Sequence, residues 1–597
     1  MNKPQAPASA ESNSTAIERP LPAKPGKLFG SDVIAQTLRD LDIPFIALNP
    51  GASYRGLHDS LVNHLGNQTP QMLVCLHEEN AVAIAHGWAK VTGKPMLAAV
   101  HSNVGLMHST MAIFNAWCDR VPVIVLGATG PVDAAKRRPW IEWIHTARDQ
   151  GALVRGYTKW DDQPASPAAA REALWRGNWL ARTVPMGPVY INLDAEMQEA
   201  PLDKPLPELD AKRYMPPVAV GAPADAVAKA ADMLRGAKRP VILVGRNSHT
   251  VDPWNARIAL AEGLKARVVC DLKSGSGFPT EHPLYVGPAS IQVPSGKPAE
   301  AIRDADVIVS LDLTDLAGWL TRIFGGKPPQ AKIIHVSTDH RLHNGWSMDY
   351  QALPPVDHIV AGEPEAVVSA LNDVLGFGSS TTFSPPKQVP ASIPEVGGEI
   401  TMDQLALALR QAVGERDVTL TSLSLSWNAA NWSFRHPLDY IGSIGGGGLG
   451  GGPGISVGAA LALKDSGRLA VAVCGDGDFL MGLTSVWTAV HYRIPLLFVV
   501  ANNRTYLNDE VHQESVAQVR ERPVENRWIG MRMTDPDIEF TLLARGQGAQ
   551  AFGPVVESGD LVSTFEAAIK AVEQGAVAVV DVRVKAHKES HASGSRG

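Results

Sequence analysis

Residues 468–506 read RLAVAVCGDGDFLMGLTSVWTAVHYRIPLLFVVANNRTY, and their reading decides the fold. Leu469 to Cys474 is an unbroken apolar run that empties into Gly475, Asp476 and Gly477. After Pro495 a second run, Leu496 to Val500, leads to Asn502 and Asn503. Apolar runs of this length predict fully buried parallel strands. Between them Leu483, Val486, Trp487 and Val490 recur at i, i+3, i+4 and i+7, the stripe of a helix laid on one face of a sheet. Strand, helix and strand form a right-handed crossover. Such units bind ligands at the carboxyl ends of their strands, where Asp476, Asn502 and Asn503 fall.

Glycines on both sides of Asp476 let a ligand approach the backbone closely. One carboxylate beside amide oxygens suits a hard divalent ion such as Mg2+, with phosphate oxygens completing its shell. A Gly-Asp-Gly turn alone is also an ordinary strand-to-loop turn. Here it is followed by 24 residues, Asp478 to Ala501, and then Asn-Asn. That spacing resembles the diphosphate and metal motif of thiamine diphosphate (ThDP) enzymes.

Working outward, a chain of 597 residues predicts roughly three to four domains. Hydrophobic content of 45% with 19% charged residues is ordinary for a soluble globular protein. A net charge of -7 gives no reason to expect nucleic acid. Cys75, Cys118, Cys270 and Cys474 are far apart and read as buried, reduced thiols without metal-ligand spacing. With no apolar segment of transmembrane length and no signal-peptide pattern, the expectation is a cytoplasmic enzyme with no membrane partner.

Residues 1–27 lack periodicity and predict a disordered tail. A first domain over 28–200 contains the helical stripe Val33, Ile34, Thr37, Leu38 and Leu41 and the strand Phe45 to Leu48. The turn Asn49, Pro50, Gly51 closes that strand. A second run, Met72 to Leu76, ends in His77, Glu78 and Glu79, and Ala81, Ile84, Ala85 and Trp88 give the next helix its apolar face. Pro201 to Pro217 read as a linker. Strands at Val241–Gly245, Ala266–Cys270, Val307–Leu311 and Lys332–Val336 alternate with helical stretches in a central domain over 222–375. A second linker spans 376–397, the third domain spans 398–585, and 586–597 form a flexible tail. The fold class is α/β, with three doubly wound parallel-sheet domains.

A carboxylate at a helix start is commonly just a first-turn acid favoured by the helix dipole. In this chain, however, His-Glu followed by Gly87, Trp88, Ala89, Lys90, Thr92 and Gly93 resembles the pyrimidine-binding segment of the acetolactate synthase and benzoylformate decarboxylase group. In that family the glutamate nine positions before the helix glycine contacts the aminopyrimidine. Counting back from Gly87 reaches Glu78, with Glu79 as the second choice. His101, Ser102, Gly105, Asn115, Ala116, Trp117 and the strand Val121–Leu126 resemble the benzoylformate decarboxylase branch without a gap, which makes His101 a candidate acid-base group. Its plain alternative is a structural loop histidine. Lys136, Arg137, Arg138 and the neighbouring tryptophans and His145 read as a solvated face.

Residues 445–454 hold eight glycines, interrupted by Leu449 and Pro453. They precede the small-residue helix Ile455–Leu463, so they read as a close-approach loop for a phosphate-bearing ligand. Aligned on Gly448 and Leu449, the resemblance puts Leu449 beneath the cofactor, holding it in a V shape. It implies that Glu78 hydrogen-bonds the pyrimidine and favours the imino tautomer that removes the thiazolium C2 proton. It further implies that Asp476, Asn503 and the Thr505 carbonyl hold Mg2+ on the diphosphate. Asn49, Pro50, Gly51, Gly475, Gly477 and Asp478 are the remaining cofactor-binding candidates. In the family each cofactor lies between two subunits, so a homodimer or homotetramer is expected. The central domain sometimes binds FAD or a nucleotide. Without a Gly-x-Gly-x-x-Gly after a strand, a structural role is expected here and FAD is not favoured.

The residues that would name the substrate depart from the pattern. Ala52 stands where a substrate-binding serine is found in the family, with Ser53 one place on. The region Leu313 to Trp319 offers no second histidine. The charged segment Leu507–Arg532 is expected to cover the site. The resemblance implies decarboxylation of a 2-oxo acid, with an acetolactate synthase-type carboligase or lyase as the alternative and a catalytically silent ThDP-binding protein as a remote one.

Overall fold

The structure is a computed structural model and describes residues 18–23, 26–214, 219–287, 293–341, 353–378, 383–384, 392–393 and 398–586. Three parallel sheets are laid out along the chain. The first contains β1 (Phe45–Leu48), β2 (Gln71–Val74), β3 (Met96–Ala99), β4 (Val123–Thr129), β5 (Asp161–Asp162) and β6 (Val189–Asp194), in the order β2-β1-β3-β4-β6-β5. The second contains β7 (Pro240–Val244), β8 (Arg267–Cys270), β9 (Val307–Leu311), β10 (Lys332–Val336) and β11 (His358–Val360), ordered β11-β10-β9-β7-β8. The third contains β12 (Val418–Ser422), β13 (Leu469–Gly475), β14 (Leu496–Asn502), β15 (Gln550–Val555) and β16 (Val577–Arg583), ordered β12-β13-β14-β16-β15. Each sheet is covered by helices on both faces, which is why the central strands read as continuous apolar runs.

Several boundaries differ from the periodicity. Strand β2 stops at Val74, and Leu76 is exposed. Strand β4 starts at Val123 and runs on to Thr129. Strand β11 is too short and too polar at His358 to be read from pattern. The stripe between β13 and β14 is split into helices Asp476–Met481 and Ser485–His491. The break falls at Gly482, whose Cβ would sit 2.4 Å from the Gly450 carbonyl oxygen.

The tail expectation needs correction at Glu18 and Arg19. The Asn67 Nδ2 donates to the Glu18 carbonyl at 3.1 Å, Arg19 donates to the Asn67 carbonyl at 3.2 Å, and Tyr492 donates to the Glu18 carboxylate at 3.2 Å. Composition shows low hydrophobicity but not these specific polar anchors. Residues 1–17, 24–25 and 587–597, and most of the second linker, lie outside the described residues. All four cysteines are buried and free. Among the described residues, no helix is long and apolar enough to cross a membrane.

The helices Glu78–Thr92 and Gly451–Leu463 join the first and third domains. A Cβ on Gly87 would lie 1.9 Å from the Ile455 carbonyl oxygen, and one on Gly458 would lie 1.9 Å from that of Ile84. The two backbones touch at reciprocal glycines, which accounts for the small-residue composition of both helices. Gly458→Ala is therefore expected to destabilise the protein by about 1–3 kcal/mol through overpacking, read as a lower urea midpoint.

Candidate active site

Strands β13 and β14 are adjacent, with Gly475 in register with Ala501. The loops leaving them are consequently side by side. Asp476 is 3% exposed and accepts hydrogen bonds from the backbone N–H of Gly477 (2.8 Å) and Arg504 (2.5 Å). Burial pushes its carboxyl up to about 6, against the pull of those N–H groups. Among the described residues no basic side chain forms an ion pair with it. The Asn503 side-chain oxygen accepts from the Thr505 N–H at 3.0 Å, and the Thr505 hydroxyl donates to buried Glu510. Asn502 turns away and donates to Asp581 at 2.9 Å. Asp476, Asn503 and the Thr505 carbonyl each offer oxygen, the donor atom that hard cations take.

Asp478 anchors the glycine run. It is buried and accepts from the Gly450 N–H at 2.7 Å and the Gly452 N–H at 3.4 Å. Burial pushes its carboxyl up to about 6, and the two N–H groups oppose this. On the other side, Asn115 of the helix Ser102–Asp119 accepts from Gly446 (3.1 Å) and Gly448 (3.4 Å). The glycine run is thereby held from both domains. Leu449 lies between these anchors and is 36% exposed.

At the other half, His77 caps the helix Glu78–Thr92 by accepting the Glu79 N–H at 3.2 Å. The next residue, Glu78, is 5% exposed and accepts a hydrogen bond from His108 Nδ1 at 3.1 Å. Glu79 faces a different neighbour: burial, then the Asp478 carboxylate, raises its proton affinity.

Strand order reverses between β1 and β3, so a crevice opens at their carboxyl ends. Asn49 bridges to the Cys75 carbonyl at 2.9 Å, and Gly51 leaves room for His101, whose ring a Cβ would meet at 2.6 Å. Pro50 lies in the same turn. The Ser53 hydroxyl is 2.9 Å from His101 Nδ1 and accepts the Ser102 N–H at 3.2 Å. His145 packs edge-on against His101, with ring centroids 4.7 Å apart. Burial, then His145, lowers the proton affinity of His101.

Comparison with known proteins matches residues 29–153, 227–361 and 422–582 to the N-terminal TPP-binding, central and C-terminal TPP-binding domains of the thiamine pyrophosphate enzymes. The chain belongs to this family. It is 25% identical over 482 residues to benzoylformate decarboxylase of Pseudomonas aeruginosa, spanning 80% of this chain and 85% of that one. It is also 25% identical over 514 residues to the acetolactate synthase large subunit of Corynebacterium glutamicum, spanning 82% and 77%. The solved ThDP-dependent 4-hydroxybenzoylformate decarboxylase of Rhodococcus jostii superposes with a TM-score of 0.75 at 22% identity, covering 94% of this chain and 99% of that one. The protein is thus a ThDP-dependent enzyme of the decarboxylase and carboligase family.

The residues present fit ThDP. The buried, cation-free carboxylate of Asp476 and the tethered glycine run suit a diphosphate with its counter-ion, and the buried Glu78 suits a ring nitrogen. Sequence reasoning missed His108, His145 and Glu510. The i, i+3 spacing of Gly105 and His108 was the only available signal for the first. His145 arrives from a segment whose charge pattern reads as a solvated face, and Glu510 from the charged segment expected to cover the site, in which no spacing singles it out. The segment Leu507–Arg532 begins as a helix, Leu507–Val519, anchored by Glu510 to the Thr505 loop. In the central domain the strand order reverses between β7 and β9. There Arg246 pairs with Asp312 (3.2 Å) and Asp339 (3.1 Å), and Asp339 also takes Arg120 of the first domain at 2.8 Å.

Proposed function

We propose that the enzyme decarboxylates a 2-oxo acid without oxidation, using ThDP held by Mg2+. The observation that carries this reading is the Ser53–His101 pair at the strand-order reversal of the first sheet. Ser53 Oγ accepts the Ser102 N–H and shares a hydrogen bond with His101 Nδ1 at 2.9 Å, which fixes the orientation of the imidazole. Burial and His145 disfavour charge on the ring, and with Ser53 donating to Nδ1 the ring proton sits on Nε2, where it serves as a donor. Ser53, one place beyond the family's serine position, supports His101 in this reading instead of binding the substrate carboxylate.

ThDP, when bound, supplies a nucleophilic carbon and an electron sink for the bond being cleaved. Glu78 hydrogen-bonds its pyrimidine and governs the proton there. Asp476, Asn503 and the Thr505 carbonyl would hold Mg2+, and Leu449 would support the bound cofactor. The named relatives fit either outcome, since one is a decarboxylase and the other an acetolactate synthase.

Two copies would complete each site. Among the described residues no hydrogen bond joins Glu78 to Asp476, Asn503 or Thr505. Apolar Leu76 and Met107 beside Glu78, and Met481 beside the glycine run, are 46%, 52% and 59% exposed, as expected of surfaces that a second subunit covers.

The test incubates protein loaded with ThDP and Mg2+ with aliphatic and aromatic 2-oxo acids, following CO2 and carbonyl products. Release of CO2 with free aldehyde supports the decarboxylase, and His101→Ala is expected to lower that turnover by about 10²-fold or more. Coupled C–C products would instead assign the carboligase.

A further inference from the structure

The carboxylate of Glu78 rests against one face of the helix Ser102–Asp119. A Cβ on Gly105 would approach Glu78 Oε1 to 2.8 Å, so only glycine leaves room for that oxygen. One turn on, His108 Nδ1 lies 3.1 Å from the other oxygen, Oε2. A carboxylate only accepts, so His108 donates. Positions three apart share a helix face, and this face receives both oxygens of one side chain. Among the described residues, His108 provides the only side-chain hydrogen bond to the buried carboxylate.

His77, Glu78 and His108 bring ligand atoms within 4.8 Å of one another, which invites a metal reading. The hydrogen bonds argue against it. His77 Nδ1 accepts the Glu79 N–H, so in the neutral ring the proton lies on Nε2, the nitrogen a metal would need bare. The two imidazoles are stacked, with centroids 5.0 Å apart and planes 21° from parallel. Burial, then His108, disfavours charge on His77. Tyr54 and His101 are the other titratable groups that feel the Glu78 charge; Tyr54 donates instead to the Asn49 carbonyl, and His101 is engaged with Ser53.

We propose that His108 is a positioning residue for the cofactor reaction: its Nδ1–H holds the Glu78 carboxylate, against Gly105, in the orientation that meets the ThDP aminopyrimidine. The proposal rests on the assignment of Glu78 made above. An unpartnered buried carboxylate would turn toward solvent or take up a proton, and either would impair activation of the cofactor.

The test needs no substrate. Wild type, His108→Ala, His108→Asn and Glu78→Gln are loaded with ThDP and Mg2+, and exchange of the cofactor C2 proton with deuterium is measured by quenched-flow NMR. Loss of a hydrogen bond to a charged group predicts exchange slowed about tenfold in His108→Ala. The Asn amide also donates, so His108→Asn is expected to recover to within about threefold of wild type. Wild-type exchange in His108→Ala overturns the proposal, as does Asn exchanging no faster than Ala. Glu78→Gln separates the two ideas, because wild-type exchange there overturns the Glu78 assignment itself. If the Ala variant does not fold, His108→Asn against His108→Leu supplies the same comparison.

Discussion

Glu78→Gln is expected to lower turnover by about 10²- to 10⁴-fold, the span general acid–base groups supply, with little change in the fold. The substitution is nearly isosteric at a side chain that is 5% exposed. The Gln oxygen can still accept from His108, and the amide still fits against Gly105. What disappears is the negative charge that favours a proton on the facing pyrimidine nitrogen. Steady-state turnover on the active 2-oxo acid and the melting temperature of the metal-free protein separate the two effects. A variant that melts normally yet turns over at the wild-type rate would remove Glu78 from the mechanism and return attention to Glu79.

Asp476→Asn is expected to abolish stabilisation by Mg2+ and ThDP, which in the wild type amounts to about 2.7 kcal/mol at a hundredfold excess over Kd. Unliganded, the variant is expected to be no less stable than wild type above pH 6. The Asp476 carboxyl is raised from its ordinary 3.8 to about 6 by burial, so the folded chain binds this proton more tightly than the unfolded chain does. The stabilisation linked to that proton is complete below 3.8 and is lost as pH rises through about 6. Asparagine does not titrate, and its oxygen still accepts from Gly477 and Arg504. Melting curves from pH 4.5 to about pH 7, with and without cofactor, test both statements. Undiminished cofactor stabilisation in the variant would place the cation elsewhere.

Much of this was legible in the sequence because it depends on local chemistry. Strands β13 and β14 are buried on both faces and must be apolar throughout, and the Asp476 and Asn503 turns follow directly from where those runs stop. Glu78 could be numbered from Gly87 because that glycine is fixed by backbone contact with Ile455. Contacts between distant segments left no such trace. His145 meets His101 across 44 residues of chain, and Asn115 reaches Gly446 across 331. The place of Asp478 in the Gly-Asp-Gly-Asp turn gave no sign that it would accept the N–H groups of Gly450 and Gly452, which lie 28 and 26 residues upstream. The split at Gly482 was invisible for a related reason: the residue that forces it, Gly450, belongs to another loop.

The double tethering of residues 445–454 has a kinetic meaning. Ordering a free backbone residue costs about 1–2 kcal/mol in conformational entropy, and glycine lies at the upper end. Asn115 and Asp478 impose that cost once, during folding, so a diphosphate bound there would encounter a preorganised cradle. One anchor belongs to the first domain. An excised third domain would keep Asp476 and Asn503 yet present a floppy glycine loop, and its association with the cofactor would be slower and weaker than that of the intact chain.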